Sequence, residues 1–322
     1  MDGVTLLKQI SELYPHTIRV LLLSIKDKDI AVSAVNESRI YKFIAKPMKR
    51  DDIIKTITDS VEQYNVSLAE RSILDETFHA SMKIILEIFG VSDPVSYSRS
   101  NRMYRFVRGI SKDMDLHNQW DYNTSALLSQ IGCVSLPDTL VQKSIYGFKR
   151  LNDEEIKQYK SHAEYAANLL KNVPKLESIS EIIRCQFDAP YIDENDFVDD
   201  QSSIKKIGTH LLHLSYYYDV ERLNNENHKS IIDAMLNDPL QFYTPFVKSL
   251  DTTFVGQIGG KRQRVNLEDL VPGMTLAENV RTEKGVLVVA QGLEITQNMI
   301  KRIIAFHSSQ GIRMPLIVYV AT

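Results

Sequence analysis

The 322 residues read as a multidomain α+β chain: a partial α/β unit at the start, a mostly α-helical body, and a small β-rich module at the end. Three observations predict this. Short β-rich runs alternate with helical patterns over residues 1–50, and apolar residues then recur at three-and-four spacing for a long way. After Pro245 the composition turns to glycines and short valine-rich runs. The boundaries expected from these shifts are 1–68, 69–255 and 256–322.

Hydrophobic residues at 43% and charged residues at 25% describe an ordinary globular chain. The formal net charge of −3 supplies no global basic field, so neither DNA nor an anionic membrane is an expected partner. No charged-then-apolar leader opens the sequence, and no run reaches the ~18 apolar residues of a membrane span. A cytoplasmic location is the expectation. Cys133 and Cys185 lack C-x-x-C spacing and a nearby histidine, which favours small core residues over a redox pair or metal ligands.

The first unit opens with an amphipathic helix ending near Pro15. Residues 18–23 form an expected strand, 27–36 a helix and 40–45 a second strand. Lys46-Pro47 then turns into another helix. Ser24 after the first strand, Phe43 within the second and Lys46 before Pro47 give this half a resemblance to the second half of a response-regulator receiver domain. The resemblance implies two-component signal transduction by phosphorelay, with hydroxyl, aromatic and ammonium flanking a phosphorylated Asp. The family's acceptor Asp and acidic pair stand on strands expected before Met1, so no acceptor carboxylate is at hand.

From Asp51 on, Ile54, Ile57, Val61, Tyr64 and Leu68 recur as on a coiled-coil seam. Two readings fit: a dimerising signalling helix, from which a homodimer is expected, or a helix packed on its own sheet and continued as a linker. The seam is expected to break at Ala69-Glu70-Arg71. A further helix over 74–91 then shows Phe78, Met82, Ile85 and Phe89 on one side.

Residues 127–138, Leu-Leu-Ser-Gln-Ile-Gly-Cys-Val-Ser-Leu-Pro-Asp, read as a helix end that turns on Gly132 in the left-handed region and cannot resume past Pro137. The run resembles Leu-Leu-His-Asp-Ile-Gly-Lys-Ile-Gly-Ile-Pro-Asp of the HD-GYP phosphodiesterases, helical metal-dependent hydrolases of cyclic dinucleotides. The resemblance implies a degenerate site. Ser129 and Gln130 stand at the His-Asp pair, Arg99 at an earlier ligand His, Gln186 and Phe187 at adjacent histidines, and Tyr216 at a ligand Asp. His162 alone keeps a ligand's identity, and one imidazole cannot hold a dinuclear centre.

No catalytic residue, metal or cofactor is therefore expected. The expected function is that of a pseudoenzyme, a non-catalytic signalling or scaffold protein acting through protein partners. The rivals are a metal-dependent cyclic-dinucleotide phosphodiesterase and a metal-free nucleotide sensor. Neutral and bulky replacements are expected to have filled the former pocket.

Elsewhere, Asn152 followed by Asp153, Glu154 and Glu155 marks a helix start. The acidic residues of 188–200 lack the spacing of a calcium loop and read as a surface loop. His210 and His213, three apart on one helix, have no further ligand beside them in sequence. The glycine and basic run 256–264 reads as a linker. The module after it should hold strands at 274–280, 286–290 and 316–320 and a helix at 297–307, and its run 270–280 resembles the small β-rich domain attached to HD-type signalling proteins.

Overall fold

The computed structural model describes residues 3–24, 40–188, 190–224, 227–255 and 261–320. The chain divides into two compact units, Met1–Ile84 and Ile85–Thr322.

In the first unit, helix α1 (Gly3–Leu13) precedes strands β1 (Val20–Ser24) and β2 (Lys42–Lys46). The strands pair in parallel, Val20 opposite Lys42 and Ser24 opposite Lys46. Leu21 and Ile40 are buried, with Leu7 and Leu23 packed against them. The helix expected over 27–36 lies outside the described residues. Helix α2 (Arg50–Ser92) follows, its first turn carrying Asp51 and Asp52 where the helix dipole favours negative charge. The helix expected separately over 74–91 is the C-terminal part of this same helix, which runs unbroken through Ala69-Glu70-Arg71. Alanine, glutamate and arginine are strong helix formers, so this run interrupts the apolar face and leaves the backbone helical.

In the second unit, helix α3 (Pro94–Asp113) starts where the Asp93 side chain accepts from the Ser96 amide, with proline in the first turn. Its stripe of Met103, Phe106, Val107 and Ile110 is buried. The stripe lies in a body of α4 (Gln119–Leu128), α5 (Asp138–Ser144), α6 (Asp153–Leu170), α7 (Glu177–Arg184), α8 (Gln201–Leu223), α9 (His228–Leu236) and α10 (Thr244–Val255). Helix α3 packs on α4, α8 and α10, and α6 packs on α7. The capping box at the head of α6 joins Asn152 and Glu155, as the sequence suggests.

The central stretch differs from expectation in its reason. Helix α4 stops at Leu128 and a 3-10 turn spans Ile131–Ser135. Gly132 is not among the residues of positive φ. A Cβ there would stand 2.0 Å from the His162 carbonyl oxygen and 3.0 Å from the Ala166 nitrogen. Glycine is needed because the turn lies against the backbone of α6, not because the chain turns left-handed.

The C-terminal module contains β3 (Lys261–Val265), β4 (Thr275–Leu276), β5 (Val280–Arg281), β6 (Leu287–Val289), α11 (Gln297–Gln310) and β7 (Leu316–Val320). One antiparallel sheet has the order β3-β7-β4, and β5 pairs with β6. The single strand expected over 274–280 is thus two short strands in different sheets. Part of the expected linker is also corrected: 261–264 belongs to edge strand β3, paired with β7, while 256–260 lie outside the described residues. Lysine and arginine on an edge strand discourage further pairing, which explains a basic run inside a sheet. Leu276, Val288, Ile303 and Val318 form the module's core.

Candidate functional site

Six of the seven positions singled out in the helical body are buried: Arg99, Ser129, Gln130, His162, Gln186 and Tyr216. Phe187 is half-buried. The fold brings all seven together at the centre of the body, where α3, the end of α4, α6, the end of α7 and α8 meet.

Arg99 organises one half of the cluster. Its Nε donates to Asp219 Oδ2 at 3.3 Å and its Nη1 to the Tyr159 hydroxyl at 2.8 Å. Nη2 donates to the carbonyls of Ser144 and Ile145 at 3.0 and 2.6 Å. The guanidinium also lies 5.1 Å from the Tyr216 ring centroid. Burial works against the charge, but Tyr159, Tyr216 and Asp219 outweigh it and raise the Arg99 pKa.

The side-chain amides close the other half. Tyr159 donates to Gln130 Oε1 at 2.9 Å, and Gln130 Nε2 donates to Gln186 Oε1 at 3.1 Å. Gln186 Nε2 in turn reaches the Ser129 carbonyl at 3.1 Å and His162 Nε2 at 3.4 Å. The Ser129 hydroxyl donates to the Ala126 carbonyl at 2.9 Å. His162 Nδ1 lies 2.5 Å from the Tyr159 carbonyl, so the neutral tautomer with the proton on Nδ1 satisfies both ring nitrogens. Burial and the neighbouring Arg99 charge bring the His162 pKa down to about 4. Phe187 packs edge-on to His162 and to Tyr216, each with centroids 5.5 Å apart. Burial pushes the Tyr216 phenol and the Cys133 thiol each up to about 12.

Sequence reasoning missed three members: Tyr159, Arg102 and the metal-free role of Asp219. Arg102 Nε meets Asp219 Oδ1 at 2.5 Å and its Nη2 meets Oδ2 at 3.0 Å, so this one carboxylate is held by two guanidiniums. Arg102 Nη1 also donates to Ser98 Oγ at 2.6 Å and to the Gln291 carbonyl of the C-terminal module at 3.2 Å. Arg105 donates to the Gly292 carbonyl at 2.6 Å. A polar cavity of about 150 Å³ lies beside these arginines, lined by Ser96, Gln142 and Arg281 among others.

These residues do not fit the metal pair that an HD-GYP resemblance implies. Both Asp219 oxygens are engaged by arginine, both His162 nitrogens are used, and the remaining donors are neutral amides and a hydroxyl. A fixed guanidinium among them repels a divalent cation. Among the described residues no group of three or more His, Cys, Asp or Glu could hold a metal ion. The set also lacks a carboxylate or imidazole free to move a proton, which hydrolysis requires.

The other candidates are occupied structurally. His210 Nδ1 lies 2.9 Å from the Pro190 carbonyl, and its Nε2 accepts from the Tyr243 amide at 2.9 Å. His213 stacks on Phe242 and meets Gln241 at 3.0 Å, so the two histidines do not converge. In the acidic loop, Asp200 caps α8 and Asp196 pairs with Lys206 at 2.6 Å. Cys133 is buried and Cys185 half-buried, both as free thiols. In the first unit, Ser24 and Lys46 stand at facing ends of β1 and β2, and Phe43 is 52% exposed.

Residues 83–187 match the HD domain family, which assigns this part of the body to the HD class. Among curated relatives, the hydrogenase transcriptional regulatory protein HoxA of Bradyrhizobium diazoefficiens is 23% identical over 185 residues, 46% of this chain and 37% of the relative. HoxA of Cupriavidus necator is 34% identical over 62 residues, 19% of this chain and 13% of the relative. The transcriptional regulatory protein GlrR of Escherichia coli is 24% identical over 153 residues, 47% of this chain and 34% of the relative. The chain thus spans well under half the length of the curated relatives it matches. Among solved structures, the HD domain of the L. monocytogenes phosphodiesterase PgpH, in complex with cyclic-di-AMP, aligns with TM-score 0.42 and 14% identity, over 56% of this chain and 99% of that one. Among the described residues no helix is long and apolar enough to cross a membrane.

Proposed function

We propose that the chain is a non-catalytic signalling protein of a two-component pathway in the cytoplasm, in which a degenerate HD-GYP-like body (69–255) is a scaffold for protein partners. A receiver-like half (1–68) precedes the body and a small β-rich module (256–322) follows it. The observation that carries this reading is the Arg99 guanidinium at the centre of the cluster, bonded to Asp219 and Tyr159 where the resembled family has metal ligands. The similarity to transcriptional regulators agrees with a signalling role. Against a metal-free nucleotide sensor stands the size of the cavity: about 150 Å³, below the roughly 300 Å³ at which small-molecule pockets begin.

The test measures metal content and cyclic-dinucleotide turnover with manganese, on the parent and on a Ser129→His/Gln130→Asp double variant. The parent should carry no stoichiometric iron or manganese and turn nothing over. The double variant should lose roughly 1–3 kcal/mol of stability, because its new carboxylate is buried beside neutral partners, and should also be inactive. Stoichiometric metal in the parent that is lost on His162→Ala, or turnover in either protein, overturns the scaffold reading in favour of a phosphodiesterase.

A further inference from the structure

We propose that the polar cavity between α3, α5 and the C-terminal module binds a single phosphate-type oxyanion, which joins the module to the helical body. The inference goes beyond the scaffold reading and holds whether or not the body turns over a substrate. The cavity draws its walls from both parts of the chain. Ser96, Arg99 and Arg102 come from one face of α3 and Gln142 from α5, while Asn279 and Arg281 come from the start of β5 in the module.

Charge selects the occupant. Three guanidiniums line the cavity and none of its lining residues is acidic. Arg99 and Arg102 share the Asp219 carboxylate behind it. Arg281 has no carboxylate within ion-pair reach among the described residues. Its Nη1 donates to the Gly285 carbonyl at 2.9 Å, which leaves most of its N–H donors open. Positive charge is therefore in surplus around a half-enclosed space, where like charges repel more strongly than in open water. Asp93, the next acid along α3, accepts from the Ser96 amide at the helix start. Uncharged donors complete the set. Asn279 Oδ1 accepts from the Gln291 amide at 2.8 Å, so its Nδ2 is the end free to donate, and Gln142 is exposed and adds a second side-chain amide.

Size and geometry narrow the ligand to one class. The volume of about 150 Å³ is that of about five waters in the liquid, room for a tetrahedral oxyanion and too little for a nucleotide. A phosphoryl group carries about −1.5 to −2 charge at pH 7, which offsets more than one cation. Its oxygens also match the forked donors of arginine, whereas a halide would neutralise charge without using the fork. Arg102 and Arg105 already bond the Gln291 and Gly292 carbonyls across this seam. A bound oxyanion adds an ionic bridge from Arg281 to α3 beside them.

The test uses the full chain. Calorimetry in chloride buffer should show one equivalent of inorganic phosphate bound, with sulfate competing and added chloride failing to displace it. Arg281→Gln should weaken binding by about tenfold or more while circular dichroism stays unchanged. Arg99 and Arg102 are left in place because they hold Asp219. Should Arg281→Gln disturb the module, Gln142→Glu changes an exposed position, sets a carboxylate beside the cavity, and should abolish binding by repulsion. Phosphate should also slow hydrogen exchange over residues 279–291 and leave 42–46 unchanged. Methyl phosphate separates the sources: binding equal to that of inorganic phosphate marks the phosphoryl end of a larger molecule, and binding of inorganic phosphate alone marks the free ion. No binding at roughly millimolar phosphate, affinity equal to the parent's in both variants, or slowed exchange confined to other segments overturns the proposal.

Discussion

The helical body and the first unit each carry positions that the sequence singled out by resemblance, and they differ in what surrounds those positions. In the body, Arg99, Gln130, Gln186 and His162 each bond to at least one other member of the cluster or to a neighbouring carbonyl. In the first unit, Ser24, Phe43 and Lys46 are exposed on a two-stranded sheet. Burial accounts for the contrast. A polar group left unpaired in the interior costs about 1–3 kcal/mol, so a change at one member of a buried set calls for a compensating replacement at its partner. Exposed residues have water as a partner and need no such replacement.

The strongest way to break this comparison is Asp219→Ala. The change leaves Arg99 and Arg102 facing each other without their shared carboxylate, and should lower stability by about 3–5 kcal/mol in a urea melt. A loss under about 1 kcal/mol would mean that the cluster is not held together by its charges. The second test is pH. With a folded pKa of about 4, below the unfolded value near 6.5, His162 contributes its full share of stability above pH 6.5. That share is lost as pH falls from 6.5 through 4, on the order of 3 kcal/mol. His213, also brought down to about 4 by burial, adds in the same direction. The urea midpoint should therefore drop over this window, and His162→Gln should flatten part of the slope. The smallest effect is expected in the first unit. Ser24→Ala and Lys46→Ala should each stay within about 0.5 kcal/mol of the parent, and a larger loss would show that these positions also carry structure.

Much of the fold was legible from periodicity and caps. The apolar stripe of α3, the Asn152 start of α6 and strand β7 all follow from local pattern. What was not legible depended on distant partners. Gly132 has the same letter whether it serves a left-handed turn or a close approach, and the approaching backbone belongs to His162, thirty positions on. The basic residues of β3 became strand residues only because β7 lies beside them. The cluster's positions were found from the resemblance, but the bond between Arg99 and Asp219 spans 120 residues. One signal was available: Arg99 and Arg102 lie three apart on the buried side of α3, and two interior cations require an acid. Asp219, set among Leu214, Tyr218 and Val220 on a buried face, is where that acid would be sought.

The Arg99 contacts also bear on which substitutions the cluster tolerates. Placing histidine at position 99 would remove a cation from Asp219 and a donor from the Tyr159 hydroxyl, and neither gap is filled by a shorter, neutral ring. Placing Asp at position 130 would set a carboxylate beside the Gln186 amide, which both donates and accepts there. Each single change is unfavourable while the other members of the cluster stand. Such mutual dependence is a ratchet: with guanidinium and amides interlocked, selection for stability alone opposes any one-residue move towards a metal-binding set.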